Sequence, residues 1–133
     1  MALFTWEERY SVAVDRFDGQ HKELVRIMND LYDAMRQNTA SNGDVVARLI
    51  AYTEEHFKSE EALMREHGYP GLAVHAAEHE RLVGQVVDYQ KRLASNPSRV
   101  TVEMLLFLKN WLGGHILGLD KAYNEFFSRK GVH

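Results

Sequence analysis

The fold is decided by residues 56–79, which read HFKSEEALMREHGYPGLAVHAAEH. His56 and Glu60 are four residues apart, and His75 and His79 repeat that spacing. Because four residues advance an α-helix by about 400°, each pair lies on one face, one turn apart. The pattern therefore predicts two metal-type donors on each of two neighbouring helices.

A turn separates the two pairs. Residues 67–70 read HGYP, in which the glycine favours the end of a helix and the proline favours a turn. The two helices are therefore joined tightly, and both donor pairs lie near the joined end.

Composition limits the class of protein. The 133 residues carry 45% hydrophobic side chains and only two prolines, as expected for one compact helical domain. A net charge of -3 argues against nucleic acid as a partner. The absence of cysteine excludes disulfides, zinc–thiolate sites and iron–sulfur clusters. No signal peptide and no apolar run of about 20 residues is recognisable, so we expect a cytoplasmic protein without a membrane span.

Helical periodicity extends over most of the chain. An extended N-terminal arm (residues 1–17) precedes four amphipathic helices, for which the expected ranges are 18–37, 44–66, 72–94 and 102–129. Long helices with short connections predict an all-α fold, an up-down-up-down antiparallel four-helix bundle formed by residues 1–133 as a single domain. The inward stripe of the fourth helix is expected to contain Leu105, Leu108, Leu112, His115, Leu119 and Phe126.

The polar residues of the four stripes converge. At a rise of 1.5 Å per residue, the polar residues of the first, second and fourth helices each lie about 24 Å from the same end of the antiparallel bundle. Those of the third helix lie in its first two turns, which are at the same level. The candidate ligands are His21, His56, Glu60, His75, His79, His115 and Asp120.

Any one of these residues alone has an ordinary explanation. A single histidine on an apolar face is usually a core residue whose hydrogen bonds are satisfied, and a glutamate can pair with a lysine at the rim. The converging set, however, would cost the core several kcal/mol if nothing compensated it. Bound metal supplies that compensation, and a structural bundle without metal is the alternative.

The donor set indicates two ions. Five imidazoles and two carboxylates are too many for one tetrahedral zinc, and imidazole with carboxylate suits iron, copper, nickel or zinc. Two octahedral ions offer about twelve positions. Five imidazoles fill five of them, two bridging carboxylates fill four and one bridging oxygen fills two, so about eleven are filled. The remaining position on a redox-active metal can bind a small molecule.

One spacing does not fit a regular helix. His115 and Asp120 are five residues apart, which places them about 140° from each other. Either Asp120 reaches around the helix, or the helix widens into a π-type turn, which glycine would make less costly. We predict an irregular helix between Gly113 and Asp120.

The ordered motifs resemble those of the hemerythrin family, specifically its single-domain bacterial members. The resemblance covers nearly the whole chain, and Ala13 departs from it at a position where glycine is common. The segments that carry it are Asp18-Gly19-Gln20-His21-Lys22, His56-Phe57-Lys58-Ser59-Glu60-Glu61, His75-Ala76-Ala77-Glu78-His79, and Trp111-Leu112-Gly113-Gly114-His115-Ile116 followed by Asp120.

The resemblance implies a role for each histidine. His75, His79 and His115 would hold one iron, which is coordinatively full. His21 and His56 would hold the second iron, which keeps an open position for dioxygen.

The resemblance also implies the bridges and the function. Glu60 and Asp120 would bridge the two iron ions together with an oxo or hydroxo group. The function would be reversible dioxygen binding for carriage, storage or delivery, without enzymatic turnover. A di-iron oxygen or nitric oxide sensor and an oxidase- or peroxidase-type enzyme are the alternatives.

A dry apolar pocket should shield bound dioxygen. Its candidate lining residues are Trp111, Leu112, Ile116, Leu117 and Phe57, for which ordinary core packing is the alternative role.

The partner predicted for this chain is dioxygen, with a protein that receives the oxygen as a further possibility. The expected outward face of the first helix is well charged, with Lys22, Glu23, Arg26 and Asp30. We therefore expect a monomer.

Overall fold

The computed structural model describes residues 4–36, 42–93 and 97–133. A short 3-10 helix, Glu8–Tyr10, precedes α1. The helices are α1 (Asp15–Arg36), α2 (Asn42–His67), α3 (Leu72–Leu93), α4 (Pro97–His115) and α5 (Lys121–Arg129), and the five residues Ile116–Asp120 between α4 and α5 form a π-turn.

The helices form the predicted four-helix bundle, and the described residues contain no strand. Helix α1 packs against α2, α2 against α3 and α3 against α4, and α4 closes the bundle against α1. The fourth predicted helix corresponds to α4, the π-turn and α5 together. None of the helices in the described ranges is long and apolar enough to cross a membrane.

Three helices begin earlier than the sequence indicated, α2 by two residues and α1 and α4 by more. Helix α1 begins at Asp15 rather than near residue 18, because the Asp18 amide already donates to the carbonyl of Val14 at 2.9 Å. The Asp18 carboxylate turns back and accepts hydrogen bonds from Ser11 Oγ (2.5 Å) and the Val12 amide (2.8 Å). Helix α4 begins at Pro97 rather than near residue 102. Proline is well tolerated in the first turn of a helix, where an N–H has no intrahelical acceptor to lose.

The turn between α2 and α3 was predicted correctly. Gly68 has a φ of 70°, and the Tyr69 amide donates to the carbonyl of Met64 at 2.9 Å. This is the hydrogen-bond pattern of a helix that ends on a left-handed glycine. The tight reversal fixes the end of α2 against the start of α3, where the two donor pairs lie.

The N-terminal arm is fastened to α1. Asn29 accepts a hydrogen bond from the Phe4 amide (3.0 Å) and donates one to the Phe4 carbonyl (2.9 Å). Phe4, Tyr10 and Val12 are buried, so the arm covers one end of the core.

Ala13 has a strained backbone. Its φ of 59° lies in the left-handed region, and it is the one non-glycine residue there in the described part of the chain. A left-handed conformation costs an L-residue about 1–2 kcal/mol. Glycine avoids that cost but lowers the free energy of unfolding by about 0.5–1 kcal/mol, because its unfolded chain has more backbone entropy. We therefore expect Ala13→Gly to raise the free energy of unfolding by about 0.5 kcal/mol.

Urea unfolding at constant metal content measures this difference. Ala51→Gly is the matched control, because Ala51 is exposed within α2, where glycine should destabilise by about 1 kcal/mol. Destabilisation of equal size in both variants would show that Ala13 stores no strain.

Candidate metal centre

All seven predicted donor residues meet in the core. Each is at most 6% exposed, although histidine, aspartate and glutamate rarely occupy such positions together. Helix α1 contributes His21, α2 contributes His56 and Glu60, α3 contributes His75 and His79, and α4 with the π-turn contributes His115 and Asp120.

The π-turn brings the last two donors together. The Lys121 amide contacts the carbonyl of Ile116, five residues back, and that of Gly118. A π-turn contains more residues per turn than an α-helix, so His115 and Asp120 face the same side. The predicted irregularity between Gly113 and Asp120 is confirmed.

The π-turn also shifts the inward face of everything after it by one residue. Leu119 and Phe126, which the regular stripe placed inside, are only half-buried. Asp120, Tyr123 and Phe127 are fully buried instead.

Glu60 lies at the middle of the cluster. Its Oε1 atom is 3.3 Å from His79 Nε2, 3.6 Å from His56 Nε2 and 3.7 Å from His75 Nε2. Its Oε2 atom is 3.5 Å from His21 Nε2. One carboxylate therefore faces imidazoles from three helices.

Asp120 has a similar position. Its Oδ1 atom is 2.8 Å from His75 Nε2 and 3.0 Å from His115 Nε2, whereas Oδ2 is 3.1 Å from His21 Nε2. Its two oxygens thus face histidines on opposite sides of the cluster, which is the orientation that a bridging carboxylate requires.

The donors separate into two groups that can each hold an ion. One contains His21, His56 and Glu60, and the other contains Glu60, His75, His79, His115 and Asp120, so Glu60 belongs to both. The Nε2 atoms of His79 and His115 lie 3.1 Å apart. That distance suits adjacent ligands of one octahedral ion with metal–nitrogen bonds of about 2.1 Å.

Unpaired atoms support the fit to metal. Buried polar atoms nearly always have a hydrogen-bond partner, and each exception calls for an explanation. Within the described residues, the buried atoms of the cluster that lack one are His21 Nδ1 and Nε2, Glu60 Oε1, His75 Nε2, and Asp120 Oδ1 and Oδ2. Except for His21 Nδ1, each belongs to a close imidazole–carboxylate contact, where a cation would satisfy both partners.

Three residues that the sequence did not single out orient the donors. His56 Nδ1 donates to Gln20 Oε1 at 2.6 Å, and His79 Nδ1 donates to Glu61 Oε2 at 2.9 Å. The Tyr123 hydroxyl donates to Glu60 Oε2 at 2.6 Å. Such outer partners fix the ring orientation and leave Nε2 free for metal.

Burial and the carboxylates set the protonation of the metal-free cluster. Burial alone would lower the pKa of His21 and of His75, but contacts with Asp120 and Glu60 outweigh it and raise these values to about 10 and about 9. Burial dominates at His56 and lowers its pKa to about 4. Burial would raise the pKa of Glu60, but the surrounding imidazoles outweigh it and hold the pKa well below its usual range.

Metal binding should therefore release protons. At pH 7 His21 and His75 carry protons that a metal ion must displace, while the carboxylates are already ionised. We expect His21 and His75 to release about two protons per chain when iron(II) is added without oxygen, and the overall binding constant for the two ions to fall about a hundredfold per pH unit of acidification.

An indicator dye in weakly buffered solution measures this release. The part of the yield that comes from the two histidines should disappear as the starting pH rises past about 10, where both imidazoles are neutral before metal arrives. A yield near zero at pH 7 would contradict the proposed protonation of both histidines.

An apolar cavity lies inside the bundle, and two aromatic residues of its wall, Phe57 and Trp111, stack on rings of the cluster. It offers about 20 Å³ to the centre of a water-sized molecule, enough for one small molecule. The Thr53 hydroxyl in its wall donates to the Leu49 carbonyl at 2.7 Å, so its hydrogen is already engaged. The lining residues are Leu24, Met28, Leu49, Thr53, Phe57, Leu82, Leu108, Trp111 and Leu112.

The predicted pocket residues have different locations. Phe57, Trp111 and Leu112 line the cavity, and Ile116 is fully buried. Leu117 is 39% exposed and does not line it. Phe57 stacks on the His79 ring with centroids 3.7 Å apart, and Trp111 stacks on His115 at 4.3 Å, so the cavity wall also holds these two rings.

Comparisons with family models, with sequences and with solved structures all find the same family of proteins. The family model described as the hemerythrin HHE cation binding domain matches residues 12–126. A bacteriohemerythrin of Methylococcus capsulatus is 38% identical over 130 residues, covering 96% of this chain and 99% of that protein. A bacteriohemerythrin of Stenotrophomonas maltophilia is 35% identical over 126 residues, covering 94% and 82%. A crystal structure of wild-type hemerythrin has a TM-score of 0.81 and 35% identity, covering 93% of this chain and 97% of that one.

Proposed function

This chain belongs to the hemerythrin family, and from that premise we propose that it binds dioxygen reversibly at a non-haem di-iron centre, for oxygen carriage, storage or delivery. The observation that carries the proposal is the position of Glu60, which belongs to both groups of buried donors and whose Oε1 atom, like His21 Nε2 and His75 Nε2, has no hydrogen-bond partner. When bound, the iron ions supply the redox chemistry that dioxygen binding requires.

We assign the ligands as follows. His75, His79 and His115 hold one iron ion, and His21 and His56 hold the other. The first ion would have three imidazoles and the second would have two, so the second would be the one able to take dioxygen. Support comes from the separation of the donors into two groups and from the contact of Nε2 atoms at 3.1 Å in the first of them.

The carboxylates Glu60 and Asp120 would each be shared between the two ions, because both face histidines of the two sets. Tyr123 holds Glu60 by its 2.6 Å hydrogen bond and stacks beside the His75 ring, with centroids 5.7 Å apart. Burial, with the charges of Glu60 and Asp120, raises the pKa of Tyr123 well above its usual range, so this hydroxyl keeps its proton at neutral pH. Tyr123 therefore restrains Glu60 without adding charge.

Exclusion of water is the second contribution of the protein. The cavity beside the cluster is walled mainly by aliphatic and aromatic side chains, which suits an apolar diatomic ligand and disfavours proton donors. A histidine-rich donor set contributes less negative charge than the paired Glu-x-x-His motifs of carboxylate-bridged bundle enzymes. Both features favour binding of dioxygen over its use in oxidation.

The visible absorption spectrum of purified protein tests the proposal. The protein is reduced without oxygen, exposed to air and then deoxygenated, with iron quantified at the end. We expect about two iron atoms per chain and a new charge-transfer band that disappears on deoxygenation. Immediate conversion to the oxidised form without a transient band would instead favour an oxidase or a sensor. Protein that cannot take up iron would exclude a di-iron function.

A further inference from the structure

Two histidines of the metal centre have outer hydrogen-bond partners of different charge. His56 Nδ1 donates to the amide oxygen of Gln20, whereas His79 Nδ1 donates to the carboxylate of Glu61. Both rings are hydrogen-bonded, so the feature that distinguishes them is the charge of the acceptor. The amide is neutral, and the carboxylate is an anion whose side chain is 24% exposed.

Each of these partners holds a ring on the neighbouring helix. Gln20 lies beside the ligand His21 on α1 but accepts its hydrogen bond from a ring of α2. Glu61 lies beside Glu60 on α2 but accepts its hydrogen bond from a ring of α3. The packing of adjacent helices therefore decides which ring receives the amide and which receives the carboxylate.

The Gln20 amide has a second contact that orients it. Its Nε2 atom donates to Ser59 Oγ on α2 at 3.3 Å, which leaves the amide oxygen directed at His56. An acceptor at this position keeps the ring proton on Nδ1 and leaves Nε2 for metal. Gln20 thus orients His56 for metal binding without adding charge.

The other ligand assigned to the same ion also lacks an anionic outer partner. Within the described residues, His21 Nδ1 is buried and has no hydrogen-bond partner. The two imidazoles of the ion that would take dioxygen are therefore backed by an amide at one ring and by no acceptor at the other. Glu61 backs a ring of the set that would hold the other ion.

The charge of an outer acceptor changes how strongly an imidazole donates electrons. Hydrogen bonds to an ionised group are roughly twice as strong as neutral ones, and a stronger outer bond makes the ring a more basic ligand. A more basic ligand stabilises iron(III) more than iron(II), because the ion of higher charge gains more from donated electron density. An imidazole backed by an amide therefore favours iron(II) relative to one backed by a carboxylate.

We propose that Gln20 is a positioning residue that keeps dioxygen affinity moderate by giving His56 a neutral acceptor. The inference rests on the proposed function and names a residue that tunes it. Dioxygen binding moves electrons from iron to dioxygen, and release returns them. Because the amide favours iron(II) at the ion that would take dioxygen, it favours release.

Exchange of charge at the two positions tests the inference on the iron-loaded protein. Gln20→Glu should favour iron(III) over iron(II) at least about tenfold, which is a fall of about 59 mV in a one-electron midpoint potential. It should also slow dioxygen release about tenfold. Glu61→Gln should shift the potential in the opposite direction. Gln90→Glu is the matched control, because it adds the same charge on the exposed face of α3 and should leave the potential unchanged.

Gln20→Leu separates the hydrogen bond from the charge. It removes the acceptor without adding charge, so iron affinity should fall about 10–100-fold. Wild-type affinity in this variant would overturn the proposal, because Gln20 would then not act through His56. A midpoint potential of Gln20→Glu equal to that of Gln90→Glu would also overturn it.

The test remains decisive in two unfavourable cases. If Gln20→Glu does not fold, Glu61→Gln probes the same effect from the other ring, and an unchanged potential there contradicts the proposal. The midpoint potential requires only bound iron, so it tests this inference even in a protein that does not release dioxygen. The charge-transfer band that disappears on deoxygenation tests the proposed function separately.

Discussion

Replacement of Glu60 by glutamine is expected to abolish the paired site while leaving the bundle folded. The amide has nearly the same shape but no charge, so it cannot serve as an anionic bridge between two cations. Loss of an outer partner of a metal ligand alone costs about 10–100-fold in affinity. Loss of a shared ligand should therefore lower iron affinity more than about a hundredfold.

Iron content after gel filtration, with circular dichroism of the same sample, measures the effect. Glu55→Gln is the matched control, because Glu55 is an exposed glutamate on the same helix. Equal iron in both variants would show that Glu60 is not a ligand. Loss of helical signal in Glu60→Gln would instead assign it a structural role.

Removal of the metal is expected to lower the melting temperature by about 15 °C. A ligand present at about a thousand times its dissociation constant stabilises the native state by about 4 kcal/mol, and each kcal/mol shifts the melting temperature of a chain this size by several degrees. The metal-free protein should still fold, because the ion pairs of His21 and His75 with the carboxylates partly replace the metal.

The pH dependence of the metal-free melting temperature checks that explanation. Raised pKa values mean that the protonated histidines stabilise the fold fully below about 6.5, and that this contribution is lost as the pH rises through about 9 and 10. The metal-free protein should therefore lose stability progressively between about pH 6.5 and about pH 10, with the iron-loaded protein less affected. A melting temperature unchanged by chelation would show that the cluster is stable without metal.

The seven donors could be found from the sequence because helical spacing is rigid. His56 and Glu60 lie one turn apart on any regular α-helix, and so do His75 and His79. The bundle topology then places the donors of all four helices at the same level along the bundle. The awkward spacing of His115 and Asp120 was itself informative, because only a locally widened helix brings the two residues to one side.

Tyr123 could have been found by carrying that reasoning one step further. A π-turn before Asp120 advances the inward face by one residue, so Asp120 and Phe127 replace Leu119 and Phe126, and Tyr123 becomes the inward position between them. A regular periodicity across the irregular turn does not include this shift.

The remaining partners could not be predicted from spacing. Gln20 and Glu61 lie next to ligands in sequence, but which ring nitrogen each side chain reaches depends on rotamers and on the rotation of each helix. The early start of α4 has a similar origin, since proline can either end one helix or begin the next. Tertiary packing decides between such local choices.

The π-turn has a consequence for protein design. In two donor pairs of this centre, His56 with Glu60 and His75 with His79, three residues separate the two donors. Four residues separate His115 from Asp120, because the π-turn adds one residue to that helix. A designer who transfers the centre to ideal, regular helices should therefore delete one residue between His115 and Asp120. The side chains that follow would then keep their inward direction, and all four helices would obey one repeat.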